Sequence, residues 1–451
     1  MVPFTTMSGT VSPVRRREIL DALRRGTVPR RGLDVLAVGL DRIAPTVDAE
    51  LAAVAGGAAG FKAIRGDYGS GKTFAVRWLA ERARDRGFVT AEVQISEGET
   101  PLHHLETVYR RLVESLTTAD VPGGALRAVV DAWFFALEEE ALAGGDLDDD
   151  ALLAATDTLA ERRLAEISRR APAFTAVLRA YRRAVAAGDR STADGLLAWL
   201  GGQPHVGAAV KRAAGIKGDL DHDGALGFLA GLLTVLRDAG HPGLLLVLDE
   251  VETLQRVRSD ARDRALNALR QLLDEVDAGR FPGLYLVITG TPAFFDGPQG
   301  VNRLPPLAQR LATDFGTDAR FDNPRATQIR LRGFDLDALR DVGRRTRDLY
   351  AAGGDAPERV RTACDDAYLT LLAERVTGNL GGSVGIAPRL FLKKLVGDVL
   401  DRIDQFPDFD PRRDYRLTVT PTELTAVERE AHARTLAPTT VDDVDLDLGG
   451  D

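Results

Sequence analysis

One cysteine, Cys364, among 451 residues leaves no partner for an internal disulfide and no thiolate set for a zinc site. Small secreted scaffolds and zinc fingers are excluded, and a reducing compartment, the cytoplasm, is expected. Long apolar runs are also missing. The stretch 195–210 is uncharged but carries Gln203 and His205, and the apolar runs near Leu246 and Leu286 are shorter than the roughly 18 residues a spanning helix needs. No membrane partner is expected. The first 17 residues lack a basic segment followed by an apolar one, so no secretory signal is expected either. Lysine is scarce, with six among 58 basic residues, and acids outnumber bases for a net charge of −9. That balance argues against a histone-like coat for nucleic acid while leaving room for a local basic groove.

What is present is ordinary for a folded chain: 44% hydrophobic and 28% charged residues, in a length that at about 150 residues per domain implies roughly three units. Residues 12–57 read as helical, with Ser12 as N-cap, Pro13 in the first turn, and Ile19, Leu20 and Leu23 at helical spacing. Arg15, Arg16, Arg17, Arg24, Arg25, Arg30 and Arg31 decorate this segment as either a phosphate-binding face or, more commonly, a solvated one. From Phe61 the pattern changes to short apolar runs: Phe61–Arg65, Phe88–Ile95, Leu244–Leu248, Leu284–Thr289 and Ile329–Leu331. Helical segments such as Phe74–Arg86 and Ala261–Ala278 separate them, and this alternation predicts an α/β fold with a parallel sheet.

The expected organisation is an N-terminal helical segment 1–57, an α/β core 58–333 with a helical insertion at about 102–240, a helical lid 334–405, and a tail 406–451 with a flexible acidic end. The insertion contains an aspartate cluster, residues 146–150, that lacks the ligand spacing of a calcium loop and is assigned no metal. His103 and His104 lie where a helix should begin and are assigned no chemistry.

The chemistry concentrates in Gly66-Asp67-Tyr68-Gly69-Ser70-Gly71-Lys72-Thr73, which fits GxxxxGK[ST] directly after a strand and at the opening of a helix. Glycines let the backbone curl so that its N–H groups face an anion. The helix N-terminus adds partial positive charge, Lys72 reaches the outer phosphates, and Thr73 offers a hydroxyl to Mg2+. The expected ligand is a nucleoside triphosphate with Mg2+. A second signal is the all-apolar run Leu244–Leu248 ending in Asp249-Glu250. Asp249 is the candidate for the magnesium shell and Glu250 the candidate base for water, with Glu252 as its competitor. A third is the run Leu284–Thr289 followed by Thr291, a strand end that resembles the position where P-loop ATPases place a polar sensor of the γ-phosphate, which implies that role for Thr289 or Thr291.

The order of these elements resembles the AAA+ superfamily. Gly385-Ile386-Ala387-Pro388-Arg389, opening a helix, looks like that superfamily's second sensor, which implies that Arg389 contacts nucleotide. Arg310 lies where the superfamily often presents an arginine to a neighbouring subunit, with Arg303 as its competitor, which implies a homo-oligomer. More narrowly, the phrases at 22–29, 32–40, 61–74 and 91–110 resemble the ATP-binding protein of bacteriophage-exclusion (BREX) systems, the BrxD family. The resemblance implies an AAA+ type P-loop NTPase core and an ATPase role in antiviral defence beside partners such as a helicase or a methyltransferase. DNA is a further candidate partner, through the arginines from Arg15 to Arg31 and through Arg162, Arg163, Arg169, Arg170, Arg179, Arg182 and Arg183.

Overall fold

The computed structural model describes residues 11–380, 385 and 387–436; the expected acidic end, and Ile386 in the lid phrase, lie outside the described residues. Five strands, β1 (Gly60–Arg65), β2 (Val89–Gln94), β3 (Leu244–Asp249), β4 (Leu284–Gly290) and β5 (Gln328–Arg330), form one parallel sheet in the order β2-β3-β4-β1-β5. All residues of β3 and β4 are buried, as expected for central strands covered on both faces. Because every pairing is parallel, the C-terminal ends share one edge. There Gln94 pairs in register with Asp249, and Arg65 with Gly290. Ligands of open α/β sheets bind outside this edge.

Eight helices, from Leu105–Ser115 to His222–Asp238, fill the expected insertion between β2 and β3. Their aromatic side chains Trp133, Phe174, Tyr181, Trp199 and Phe228 belong to the same hydrophobic cluster as the strand residues Leu246 and Leu286, so the insertion is part of the core. Gly231 is required by that packing, since a Cβ there would stand 2.7 Å from the Phe174 ring. The Trp133 indole N–H is satisfied by Asp238 at 2.6 Å.

The chain forms two compact units, each discontinuous in sequence. A sheet unit takes Asp41–Gly66 and Val76–Leu331; a helical unit takes the described residues up to Leu40, Asp67–Ala75, and the described residues from Arg332 onward. The expected N-terminal segment 1–57 is therefore divided. Ser12 caps the helix Pro13–Arg25 by accepting from the Arg15 amide, and Gly26 ends it at φ 71°. Ile19, Leu20 and Leu23 of this helix bury themselves against Leu339, Leu390, Phe391 and Leu395, because an isolated amphipathic helix cannot cover its own apolar face. Arg24 completes the attachment with two hydrogen bonds to Asp401, at 2.7 and 2.9 Å. The helix Ala44–Ala55 instead belongs to the sheet unit, where Glu50 pairs with Lys62. In the helical unit, helix Pro388–Lys394 continues through a π-helical turn, Leu395–Leu400, into Asp401–Gln405.

Two buried groups give measurable consequences. The Lys62 ammonium sits inside β1 with 3% of its side chain exposed, held by Glu50 at 2.6 Å and by the carbonyls of Ala326 at 2.9 Å and Pro324 at 3.3 Å. Glu50 also accepts from the Tyr285 hydroxyl. Glu50→Ala removes both acid contacts at once and should cost about 3 kcal/mol, read as a lower denaturant midpoint at unchanged slope. Burial pushes the Cys364 thiol up to about 12. Alkylation at neutral pH should therefore be slow in the native protein and rise with denaturant in step with unfolding of the helical unit, as followed by mass spectrometry.

Candidate functional site

The phosphate-loop segment leaves the sheet at its C-terminal edge: the Gly66 amide still bonds Gly290 at 3.1 Å, extending the β1–β4 ladder by one step. Gly69 and Gly71 then take φ of 81° and 89°, a region that disfavours any residue with a Cβ. A Cβ on Gly71 would meet nothing within 4 Å, so the loop borders open space at that point. The Ser70 amide bonds the Asp67 carbonyl at 3.1 Å, closing a turn that delivers the chain into the helix Lys72–Arg84. Lys72 is largely buried, donates to the Asp67 carbonyl at 3.2 Å, and lies 5.2 Å from the centre of the Tyr68 ring. Thr73 is exposed at the second position of the helix. The Ser70 hydroxyl oxygen is buried without a hydrogen-bond partner among the described residues. An orphaned hydroxyl, two left-handed glycines and a helix N-terminus with its lysine form a donor set that fits phosphate oxygens.

The acidic strand end is organised by β4. The Thr289 hydroxyl, with no solvent exposure, donates to Asp249 and accepts from the Glu250 amide at 3.0 Å. Glu250 adopts φ 59° and ψ 42°, a left-handed conformation that costs a non-glycine residue roughly 1–2 kcal/mol. Several bonds hold it there. Its amide also reaches Asp249 Oδ1 at 3.1 Å, while its carbonyl accepts from the Thr253 amide at 3.0 Å and the Thr253 hydroxyl at 2.9 Å. The resulting turn leaves the Glu250 side chain half-exposed and buries Glu252 in the following 3-10 helix. The Glu250 carboxylate accepts from the Gln94 side-chain amide at 2.9 Å. No group of three metal-ligating side chains exists among the described residues.

Other candidates lie in defined surroundings. Thr291 starts the short helix Pro292–Asp296 without capping it through its side chain. Arg310 is engaged within its own chain by Asp274 at 2.6 Å and Asp277 at 3.1 Å, and Arg303 by Asp263 and Ser259. Arg389 is held by Glu428 through two nitrogens. His104 precedes the helix Leu105–Ser115 and bonds Glu106 at 2.9 Å, an acidic neighbour at a spacing of two. Asp148 of the aspartate cluster caps the helix Asp149–Arg163 by accepting from the Ala151 amide.

Five of the seven insertion arginines proposed for DNA are paired with carboxylates. Arg163 pairs with Glu140 and Asp238, Arg169 with Glu166, Arg179 with Glu161, Arg182 with Glu138, and Arg183 with Asp157. A groove of about 660 Å³ lined by Arg163, Arg170, Arg237 and Arg280 lies among these helices. Three of the four occupy the last turns of helices, where a guanidinium neutralises the C-terminal dipole.

Gln94 and Glu428 are the residues that the reading of the sequence missed. Gln94 carried a usable signal: it is the polar residue that ends β2, opposite the acid that ends β3. Glu428 carried none, because its partner is 39 positions away on another helix.

No curated protein and no solved structure shows a significant match to the chain. The family model described as BREX system ATP-binding protein BrxC/D matches residues 11–419, nearly the whole length. With its strand order and glycine loop in that span, the chain belongs to the BREX system ATP-binding protein family BrxC/D.

Proposed function

We propose that this BREX-family protein binds ATP at residues 66–73 and hydrolyses it with Glu250 as base, acting as a nucleotide-driven switch or loader on DNA or on a partner such as a helicase or methyltransferase. The observation that carries this reading is the constrained turn at Asp249-Glu250, fixed by Thr289 at the sheet edge from which the phosphate loop departs. A residue kept in a costly backbone conformation by four hydrogen bonds is being aimed.

In the proposed mechanism the loop amides and the Ser70 hydroxyl cradle the β-phosphate, and Lys72 neutralises oxygens of the β- and γ-phosphates. Thr73 and Asp249 would hold Mg2+, whose chemistry when bound is to neutralise phosphate charge and orient the leaving group. Glu250 accepts a proton from the attacking water, which becomes the fourth oxygen of inorganic phosphate; ADP leaves. Thr289 acts through its neighbours, fixing the Asp249 carboxylate and the Glu250 backbone. Glu252, buried in the turn, has poorer access to solvent water than Glu250. Arg310 or Arg303 would serve a neighbouring subunit of a homo-oligomer only after leaving its carboxylate, so turnover per chain should rise with protein concentration.

A second reading, a nucleotide-gated binding module with little hydrolysis, is favoured by one contact: Gln94 holds the Glu250 carboxylate by a hydrogen bond that a working base would relinquish. The two readings separate experimentally. Lys72→Ala should weaken ATP binding about 30-fold, the equivalent of about 2 kcal/mol for a charge-assisted hydrogen bond. Glu250→Gln should leave binding intact and lower phosphate release about 10²- to 10⁴-fold, the range for removal of a general base. Calorimetry and a phosphate-release assay check both; turnover unchanged in Glu250→Gln would eliminate Glu250 as the base, and ATP binding with negligible phosphate release from the wild type would favour the binding reading.

A further inference from the structure

Helix Pro388–Lys394 carries three cations, and each is taken by a carboxylate from the segment that follows Thr420. Arg389 gives Nε to one Glu428 oxygen at 2.9 Å and a terminal nitrogen to the other; that nitrogen also donates to the Glu423 carbonyl at 2.5 Å. Lys393 and Lys394 bond Glu423 at 3.2 and 3.0 Å. Burial pushes the Glu423 carboxyl up, but hydrogen bonds from Lys394, the Thr420 amide and Lys393 outweigh it and hold the group at about 2, so it stays charged at neutral pH. The remaining Arg389 nitrogen is turned toward the helix end at Gly26, where a Cβ would lie 3.0 Å from it.

Phosphate recognition by arginine uses the same two-pronged edge that Glu428 occupies. Helix Pro388–Lys394 also belongs to the unit that contains the phosphate-loop segment, and Phe74, two residues after Lys72, packs on the cluster that includes Leu390 and Phe391. We propose that residues 421–436 are a built-in competitor for the nucleotide: Glu428 holds Arg389 until a phosphate of ATP displaces it and frees the segment. This rests on the reading of Arg389 as a nucleotide-contacting residue.

Displacement must move the segment because of where Glu428 sits. Its side chain is 4% exposed, and apart from Arg389 its carboxylate has the Thr425 amide at 2.7 Å. A buried carboxylate stripped of its guanidinium is strongly disfavoured, so the acid must leave for water, carrying the helix Ala426–Leu436 with it. Release also breaks the contact of His432 Nδ1 with the Asn379 carbonyl at 2.7 Å, while the Glu423 pair with buried Lys394 and the buried Leu424 keep the start of the segment anchored.

The test uses the full chain, a fluorescent ATP analogue with Mg2+, and limited trypsin cleavage at the exposed Arg429. Glu428→Gln should tighten binding about tenfold, and the same change made on Arg389→Ala should have no effect. Glu423→Gln, which leaves the Arg389 pair intact, should tighten binding more weakly. Saturating ATP should speed cleavage at Arg429 in the wild type and leave Lys72→Ala unaffected. Equal or weaker affinity in folded Glu428→Gln, or tightening that persists without Arg389, overturns the competitor and leaves ATP binding by residues 66–73 standing. Failure of the wild type to bind the analogue overturns both.

Discussion

The hydrogen bond from the Thr289 hydroxyl to the Asp249 carboxylate joins the ends of two fully buried strands, and the turn at Glu250 is arranged around it. It works because β3 and β4 are parallel neighbours in register, which places residues at the ends of both strands on one edge. The same hydroxyl accepts the Glu250 amide and thereby sets the direction in which the chain turns. A strand end normally frays into solvent-bonded loop; here a side chain from the adjacent strand satisfies it. The backbone strain at Glu250 persists because amide and carbonyl are both held.

Much of this was legible from residue pattern. Continuous apolar runs bounded by glycine or acid located all five strands within a residue or two, because a central strand must be apolar on both faces. The glycine loop was legible because left-handed φ at positions 69 and 71 demands glycine. The register that brings Thr289 rather than Thr291 to Asp249 was not, since pairing between strands 35 residues apart leaves no local mark. Nor was the division of the N-terminal segment. Helical periodicity reports that Ile19 and Leu23 need covering and is silent about what covers them. The reading of Arg389 failed to anticipate Glu428 for the same reason, since an ion pair between distant segments is a property of the packed chain.

The acidic composition acquires a structural meaning once side chains are placed. Arginines on the insertion and on the helical unit are matched to nearby carboxylates, in pairs such as Arg183–Asp157 and Arg344–Asp366. Exposed pairs of this kind contribute little stability individually. Their effect is on the long-range field: a guanidinium beside a carboxylate steers polyanions weakly, so counting arginines in the sequence overstates the affinity for nucleic acid.

The two units are sewn together by four passages of the polypeptide, near residues 40, 66, 75 and 331, and two of these flank the glycine loop. Such connectivity has a topological consequence. No single cut in the backbone separates the halves into contiguous pieces, so truncation at any one of the four passages leaves at least one half incomplete.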